Sequence, residues 1–589
     1  MERLHFPHRS ASGAAGRSSF WATKYLPFLA LPVLFVVSIM VLPSSLKNPQ
    51  TQPTESAEYA PVTDGEPGPA GGNVSSFGLG SSGFRSADPP IPLSSSGSGT
   101  VLGKTPSTKR CVGNPPRQTE DPLSPPCVAY FSGSNFGATH RGVTGDEVRV
   151  IQYLTTSGST TSKGSETPPP PGTIVDLGKP PPDNEFTWVR LIRLYQRYFN
   201  DHYQTYNRFV HFYVQFGTTN PRTPETRRAN AAEGLKEVQP FAVINNDEEA
   251  YTDFMTAGGV ETFVGTRQGV WQPESAYSRT PGYLWSYLPS TEQRAQVVSS
   301  YLCKKVVPYP VSFGNELDLR KPRVFAITRS TDATRPHLVL YGKLIKQQVE
   351  ACGGRVVEEQ VTGGTPTGPQ DIADYARYRE KGVTTVIMTD LHRLGRTQAA
   401  TTAQFYPEWM IAGNNALEQT AGGRTQDQEQ WSRARAVTNY VRVNGLEQQH
   451  CLYAAREVDP SINAQDVQTF GCDFYRDMQV LFTGIQGAGP RLSPSKLDQG
   501  FHAIPPIAST DPQVPACFYE RGDYTCVKDA QTQWWDRAVV HPADKYTGCW
   551  RMMEGGRRYL AGTWPSGDVE SQRNPSDPCN VQGNPTVPV

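Results

Sequence analysis

From Arg141 to about Gly413 the chain alternates short apolar runs with stretches whose apolar residues recur at helical spacing, and it does so twice. In the first run, segments 148–154, 209–216, 241–244 and 262–264 read as strands. Between them Trp188, Leu191, Ile192, Tyr195, Tyr198 and Phe199 repeat with the period of one helix face. After Cys303 the pattern renews, with strands predicted at 323–328, 355–361, 384–389 and 409–412. Leu338, Tyr341, Leu344, Ile345, Val349 and Cys352 line one face of a helix that stops at Gly353-Gly354, and a short helix is predicted at 372–379. Apolar strands alternating with amphipathic helices imply a mostly parallel sheet covered on both faces. Two such runs imply an α/β fold of two lobes.

The N-terminal part of the 589-residue chain is of another kind. Segment 25–43 is 19 residues without a charge, about the length that crosses ~30 Å of hydrocarbon. Arg3, Arg9, Arg17 and Lys24 precede it against Glu2 alone, so residues 1–24 form a basic cytoplasmic N-terminus and the body lies outside. No small-residue cleavage site follows cleanly and no cysteine stands ready for a lipid. The segment therefore reads as a single-pass transmembrane anchor in the cell membrane, the alternative being a cleaved signal and an exported form. Residues 44–126 are Ser, Gly, Pro and Thr with few large apolar side chains, too little to offset ordering entropy. They read as a disordered linker that lifts the body off the membrane. Gly103-Lys104-Thr105 mimics the end of a phosphate loop, but Ser98 stands where the upstream glycine is needed and no strand precedes it.

Ten cysteines fall as near neighbours: Cys111 with Cys127, Cys303 with Cys352, Cys451 with Cys472, Cys517 with Cys526, and Cys549 with Cys579. An even count on the exported side favours disulfides, although spacing alone does not fix their connectivity. No CxxC occurs, which argues against zinc ribbons and thioredoxin-like sites. Lys+Arg and Asp+Glu are both 56, so no global field points to nucleic acid or anionic lipid.

The order of these elements resembles the type I periplasmic binding proteins, the branched-chain-amino-acid and amide-binding group of ABC transporter substrate-binding proteins. Residues 142–151, GVTGDEVRVI, are similar to their first strand, and 227–244 to the helix and strand before their first ligand loop. Residues 323–357 and 371–413 follow the order of their second lobe. The tail, with Trp534-Trp535, Gly548-Cys549-Trp550 and 555–559, looks like the ending of membrane-anchored actinobacterial members. The resemblance implies a hinge crossed three times. One lobe would comprise 142–292 with 445–510 and the other 293–444 with 511–565, leaving 566–589 as a C-terminal tail. It also implies that Cys303 and Cys352 lie on neighbouring helices of the second lobe.

Ligands of open parallel sheets sit outside the carboxyl ends of the strands. The residues following the predicted strands are Asn245, Asn246 and Asp247; Thr266 and Arg267 after Gly265; Ser330, Thr331 and Asp332 after Arg329; and Thr389 and Asp390, with His392 close behind. Helix N-termini starting at these loops favour an anionic ligand group. Asp390 offers a carboxylate to a ligand ammonium. Asn245, Asn246 and Asp247 serve equally as caps of the next helix, and Ser330 and Asp332 as turn residues. Asn245, Asn246 and Asp247 stand where the resembling family often has small hydroxyl residues, which departs from an ordinary branched-chain amino-acid site. Trp534, Trp535, Trp550 and Trp564 read as packing of the second lobe rather than a ligand stack.

Neither HExxH nor GxSxG occurs, no GxGxxG follows a predicted strand, and the ten histidines show no pair at metal-ligand spacing on a predicted helix, so neither an enzyme nor a cofactor is expected. The expected function is capture of a small polar solute, an amino acid, amide or similar, for an ABC permease. A ligand-sensing ectodomain for a membrane signalling partner and a structural envelope protein on the same scaffold are the alternatives. Neighbouring permease and ATPase genes would favour transport, a neighbouring kinase or cyclase sensing, and failure to bind a broad metabolite panel the structural role.

Overall fold

The computed structural model describes residues 111–112, 116–129 and 131–580, apart from 157, 162–163, 219–222, 246–248, 266–271, 331–335, 363–367, 390–395, 414–416, 440–448, 507–513 and 543. The 25–43 segment and the linker up to residue 110 lie outside these residues. Among the described residues no helix is long and apolar enough to cross a membrane.

Strands are numbered in chain order. Two small ladders join β1 (Cys111–Val112) to β2 (Arg117–Gln118) and β4 (Ser159–Thr161) to β5 (Gly164–Glu166). At the centre of the first large sheet is β3 (Glu147–Leu154), flanked in parallel by β7 (Phe209–Phe216) and β8 (Ala242–Asn245). β9 (Glu261–Val264) and β10 (Leu284–Ser286) extend the β8 side in parallel, and β6 (Ile174–Asp176) closes the other edge antiparallel to β7. In the second sheet β11 (Phe325–Ser330) is flanked in parallel by β12 (Val356–Thr362) and β13 (Thr385–Met388), followed by β14 (Glu408–Ala412) and β15 (Ala434–Thr438). β16 (Asp529–Val540) then joins β15 antiparallel and carries β17 (Thr547–Met552) and β18 (Arg558–Leu560).

Alternation along the strands sorts the core into two layers per sheet. In β3, Val148 and Val150 face the helices Thr187–His202 and Ala464–Ala488, whereas Ile151 and Tyr153 face Pro224–Val238 and Glu249–Ala257. In the second lobe Phe325, Ile327, Ile387 and Met410 pack with the helices Thr291–Tyr301 and Pro336–Ala351. Ala326, Val386, Trp409 and Ile411 pack with Tyr375 and Tyr378 of Gly368–Glu380. Burial on both faces is why these strands carry continuous apolar runs.

The lobes exchange chain at a hinge. The first crossing follows β10, and the stretch before β16 runs beside it: Ser286 N–H donates to Tyr524 O (2.9 Å), Cys526 N–H to Ser286 O (3.0 Å) and Val527 N–H to Tyr287 O (2.9 Å). Another passes from Thr438 towards Gln449 through residues outside those described.

Four boundaries differ from the sequence reading. Tyr519, Cys526 and Val527 belong to the first core, so the chain enters the second lobe near Asp529 rather than at 511. Val569 is buried in the second core and Cys579 is bonded to Cys549, so the fold runs on through 566–580. Residues 116–126, read as linker, are folded: Gln118, Asp121 and Ser124 are buried. Their polar side chains concealed this, because burial there rests on hydrogen bonds and an ion pair rather than on apolar surface. Strand β11 begins two residues later than expected because Arg323 leaves the ladder to pair with Glu408.

Disulfides join Cys303 to Cys352, Cys451 to Cys472, Cys517 to Cys526 and Cys549 to Cys579. Cys127 is also disulfide-bonded, and the side chain of Cys111 lies outside the described residues. The four tryptophans Trp534, Trp535, Trp550 and Trp564 are all buried in the second lobe.

Candidate functional site

Among the parallel strands of each sheet, chain order reads 2-1-3-4-5 across the sheet: β7-β3-β8-β9-β10 in one lobe and β12-β11-β13-β14-β15 in the other. In such doubly wound sheets successive connections leave on opposite faces at the point between the first and third strands. The crevice there, at the carboxyl ends, is where ligands bind. The two switch points lie between β3 and β8, and between β11 and β13.

At the first, β3 is followed by Thr155 and Thr156, and the Thr156 hydroxyl donates to Gly158 O (2.9 Å) and shapes a tight turn. Asn245 ends β8; it is buried, and its amide donates to Thr252 Oγ1 (2.8 Å) on the following helix. At the second, Ser330 ends β11 and is buried. Thr389 follows β13; its hydroxyl donates to Thr328 O (2.7 Å). The helix Pro336–Ala351 lies so close to it that a Cβ at Gly342 would stand 2.9 Å from Thr389 Oγ1. Asn245 and Thr389 thus hold strand ends and helices in place around the crevice. Asn246, Asp247, Thr266, Arg267, Thr331, Asp332, Asp390 and His392 lie outside the described residues.

The helices that leave the two switch points meet. Glu249 is the first residue of Glu249–Ala257 and His337 the second of Pro336–Ala351, and His337 Nδ1 contacts Glu249 Oε1 across the lobes. His337 is almost fully buried and Glu249 largely so. A carboxylate is therefore held where two helix N-termini converge, the place at which peptide dipoles favour negative charge. Sequence reasoning missed both residues. Pro336 at the first helical position was the available signal for a helix start here.

A second missed group flanks the hinge. Arg294, in the first turn of the helix after the first crossing, donates to Gly413 O at the end of β14 and stands 3.5 Å from Glu418. Tyr341 OH donates to Ala412 O (2.7 Å) beside them. Both charges are buried; desolvation pushes the Glu418 carboxyl up to about 7, against the pull of Arg294. Among the described residues no group of three or more His, Cys, Asp or Glu could hold a metal ion. What the site offers is hydrogen bonding and dipoles in a crevice between two lobes.

No protein-family model matches the sequence, and no curated protein matches it. Among solved structures the chain is similar to an ABC transporter solute binding protein from R. palustris in complex with 4-hydroxybenzoate, at 12% identity, 71% of this chain, 98% of that one and TM-score 0.48. It is similar to a leucine-, isoleucine-, valine-, threonine- and alanine-binding protein from Brucella ovis in its closed conformation, at 9% identity, covering 73% and 100%, TM-score 0.48. A third is a substrate-binding protein of an ABC transporter from Desulfitobacterium hafniense in complex with Leu, at 12% identity, covering 70% and 100%, TM-score 0.41.

Proposed function

We propose that this chain is an extracytoplasmic solute-binding protein that captures a small polar ligand with an anionic end between its lobes and presents it to an ABC permease. The observation that carries the reading is the convergence of two helix N-termini on one carboxylate, that of Glu249, at paired switch points. A ligand carboxylate in that position meets the same dipoles and the His337 ring, and bridging both lobes it favours the closed form, whose population a partner reads. No bond need be broken for this. Disulfides in both lobes support a body on the oxidising side of a membrane. The 25–43 segment would anchor it there.

A thermal-shift screen of the purified, oxidised full chain against amino acids, amides, polyamines and small aromatic acids tests the reading. A ligand at 100-fold over its dissociation constant adds about 2.7 kcal/mol and raises the melting point visibly. Hits confined to acids and amino acids are expected. A flat response across the panel overturns solute capture and favours a structural role for the scaffold.

A further inference from the structure

The segment that precedes the first lobe reaches the hinge. Residues 116–127 fold back on themselves, with Cys127 N–H donating to Pro116 O (2.8 Å) and Gln118 N–H to Pro125 O (3.2 Å). The Gln486 amide, on the long helix Ala464–Ala488, donates to Gln118 Oε1 (2.8 Å) and Pro126 O (2.9 Å). Asp121 is buried and accepts both Nη1 (3.0 Å) and Nη2 (3.2 Å) of Arg476 on the same helix. Arg117 Nη1 donates to Pro505 O (3.3 Å).

One of these contacts ends at a crossing of the hinge. The Arg476 guanidinium carbon lies 5.5 Å from the ring centroid of Tyr287. Tyr287 begins the first crossing, and its carbonyl accepts the Val527 N–H from the strand beside it. Pro505 lies on the stretch of chain leading towards that strand. Asp121 therefore fixes the orientation of the guanidinium that packs on the first crossing, while Arg117 ties the same segment to the first lobe at Pro505. Without the carboxylate the half-buried guanidinium loses its charged partner and keeps Gln479 as acceptor, and it would shift off the ring.

We propose that residues 116–127 are a brace on the hinge, coupling the chain's N-terminal segment to the opening and closing of the lobes. The segment is then more than an attachment. Force or restraint applied upstream changes how readily the lobes part, and lobe opening changes how firmly the segment is held. The inference rests on the hinge geometry and stands whether or not the cleft retains a ligand.

Single-molecule energy transfer in the full chain, without ligand, tests it. Dyes are placed at 228 and 380, exposed positions on the two lobes, through unnatural amino acids. Asp121→Asn, nearly isosteric, and Arg117→Ala, which leaves Asp121 in place, should each shift the open-to-closed ratio several-fold or broaden the distribution. In a Tyr287→Leu background the Asp121→Asn change should add little, because the ring it acts through is gone. Distributions that match the parent's in both single variants overturn the brace. So does a full additional shift in the Tyr287→Leu background, since Asp121 would then act by another route. A variant that only lowers the melting point, with the lobe distances unchanged, assigns the segment a structural role alone.

Discussion

His337 and Glu249 stand 88 residues apart in sequence and close the cleft from opposite lobes, ring nitrogen to carboxylate. Each sits in the first turn of the helix leaving its lobe's switch point. A charge-assisted contact of this burial contributes about 1–2 kcal/mol, equivalent to roughly a five- to thirtyfold bias towards the closed form. His337→Ala or Glu249→Gln should therefore open the unliganded protein, seen as an increase in radius of gyration by small-angle X-ray scattering. Equal radii in parent and variants would show that the contact does not govern closure.

Glu418 makes a prediction with a definite sign. Its folded-state pKa, about 7, lies above the ordinary 4.5, so the folded chain holds the proton more tightly than the unfolded chain does. The resulting stabilisation is complete below about pH 4.5 and is lost as pH rises through 7. It amounts to about 3 kcal/mol over that window. Glu418→Gln, which keeps the shape and cannot ionise, should remove this component from urea-unfolding stabilities measured at pH 5 and pH 8. His541 works in the opposite direction, since burial lowers its pKa. The parent-minus-variant difference isolates Glu418, and a difference independent of pH would refute the assignment.

Where a side chain's environment is local, the sequence disclosed it. Strands β3, β13 and β14 announce themselves because Val150, Ile387 and Met410 belong to runs buried on both faces. The strand β15 does not, because ARAVT carries one large apolar residue and a buried Arg435 whose charge is met by Glu570, 135 residues later. Strand β10 is only three residues long, and β16 to β18 lie where the pattern had stopped being parallel. The site was legible as a set of strand ends, since topology alone places them. The partners of those ends were not legible: nothing near Asn245 predicts that its amide bonds Thr252, and nothing near Glu249 predicts His337. Contacts between distant, individually ordinary polar residues have no periodicity to betray them.

The buried pair Arg323–Glu408 should be the costliest ion pair to break. Both side chains are fully buried, and the guanidinium meets the carboxylate at 2.7 and 2.9 Å. Glu408 also accepts from the backbone N–H groups of Ser312 and Phe313 and from the Thr385 hydroxyl. It thereby pins the 308–323 excursion to the end of the sheet. Glu408→Ala leaves a buried cation uncompensated, at a cost of about 3–5 kcal/mol. The more exposed pair Arg377–Glu358 should cost below about 1 kcal/mol when cut. Denaturant unfolding of the two variants side by side checks the contrast, and comparable losses would contradict it.

The bond between Cys303 and Cys352 joins the end of the first helical segment after the hinge to the end of Pro336–Ala351, closing a sequence separation of 49. Both ends belong to one lobe, so the bond restricts the unfolded chain without spanning the crossings. In the chain-entropy account a loop of that length is worth about 4 kcal/mol. Cys303→Ser with Cys352→Ser should therefore lower unfolding free energy by roughly that amount while leaving the lobe-closure equilibrium where it was. Two measurements on the same double variant separate the effects: denaturant unfolding for stability, and small-angle scattering for closure. A change in radius of gyration under native conditions would mean that the second lobe transmits strain to the hinge, and that the two lobes do not move as rigid bodies.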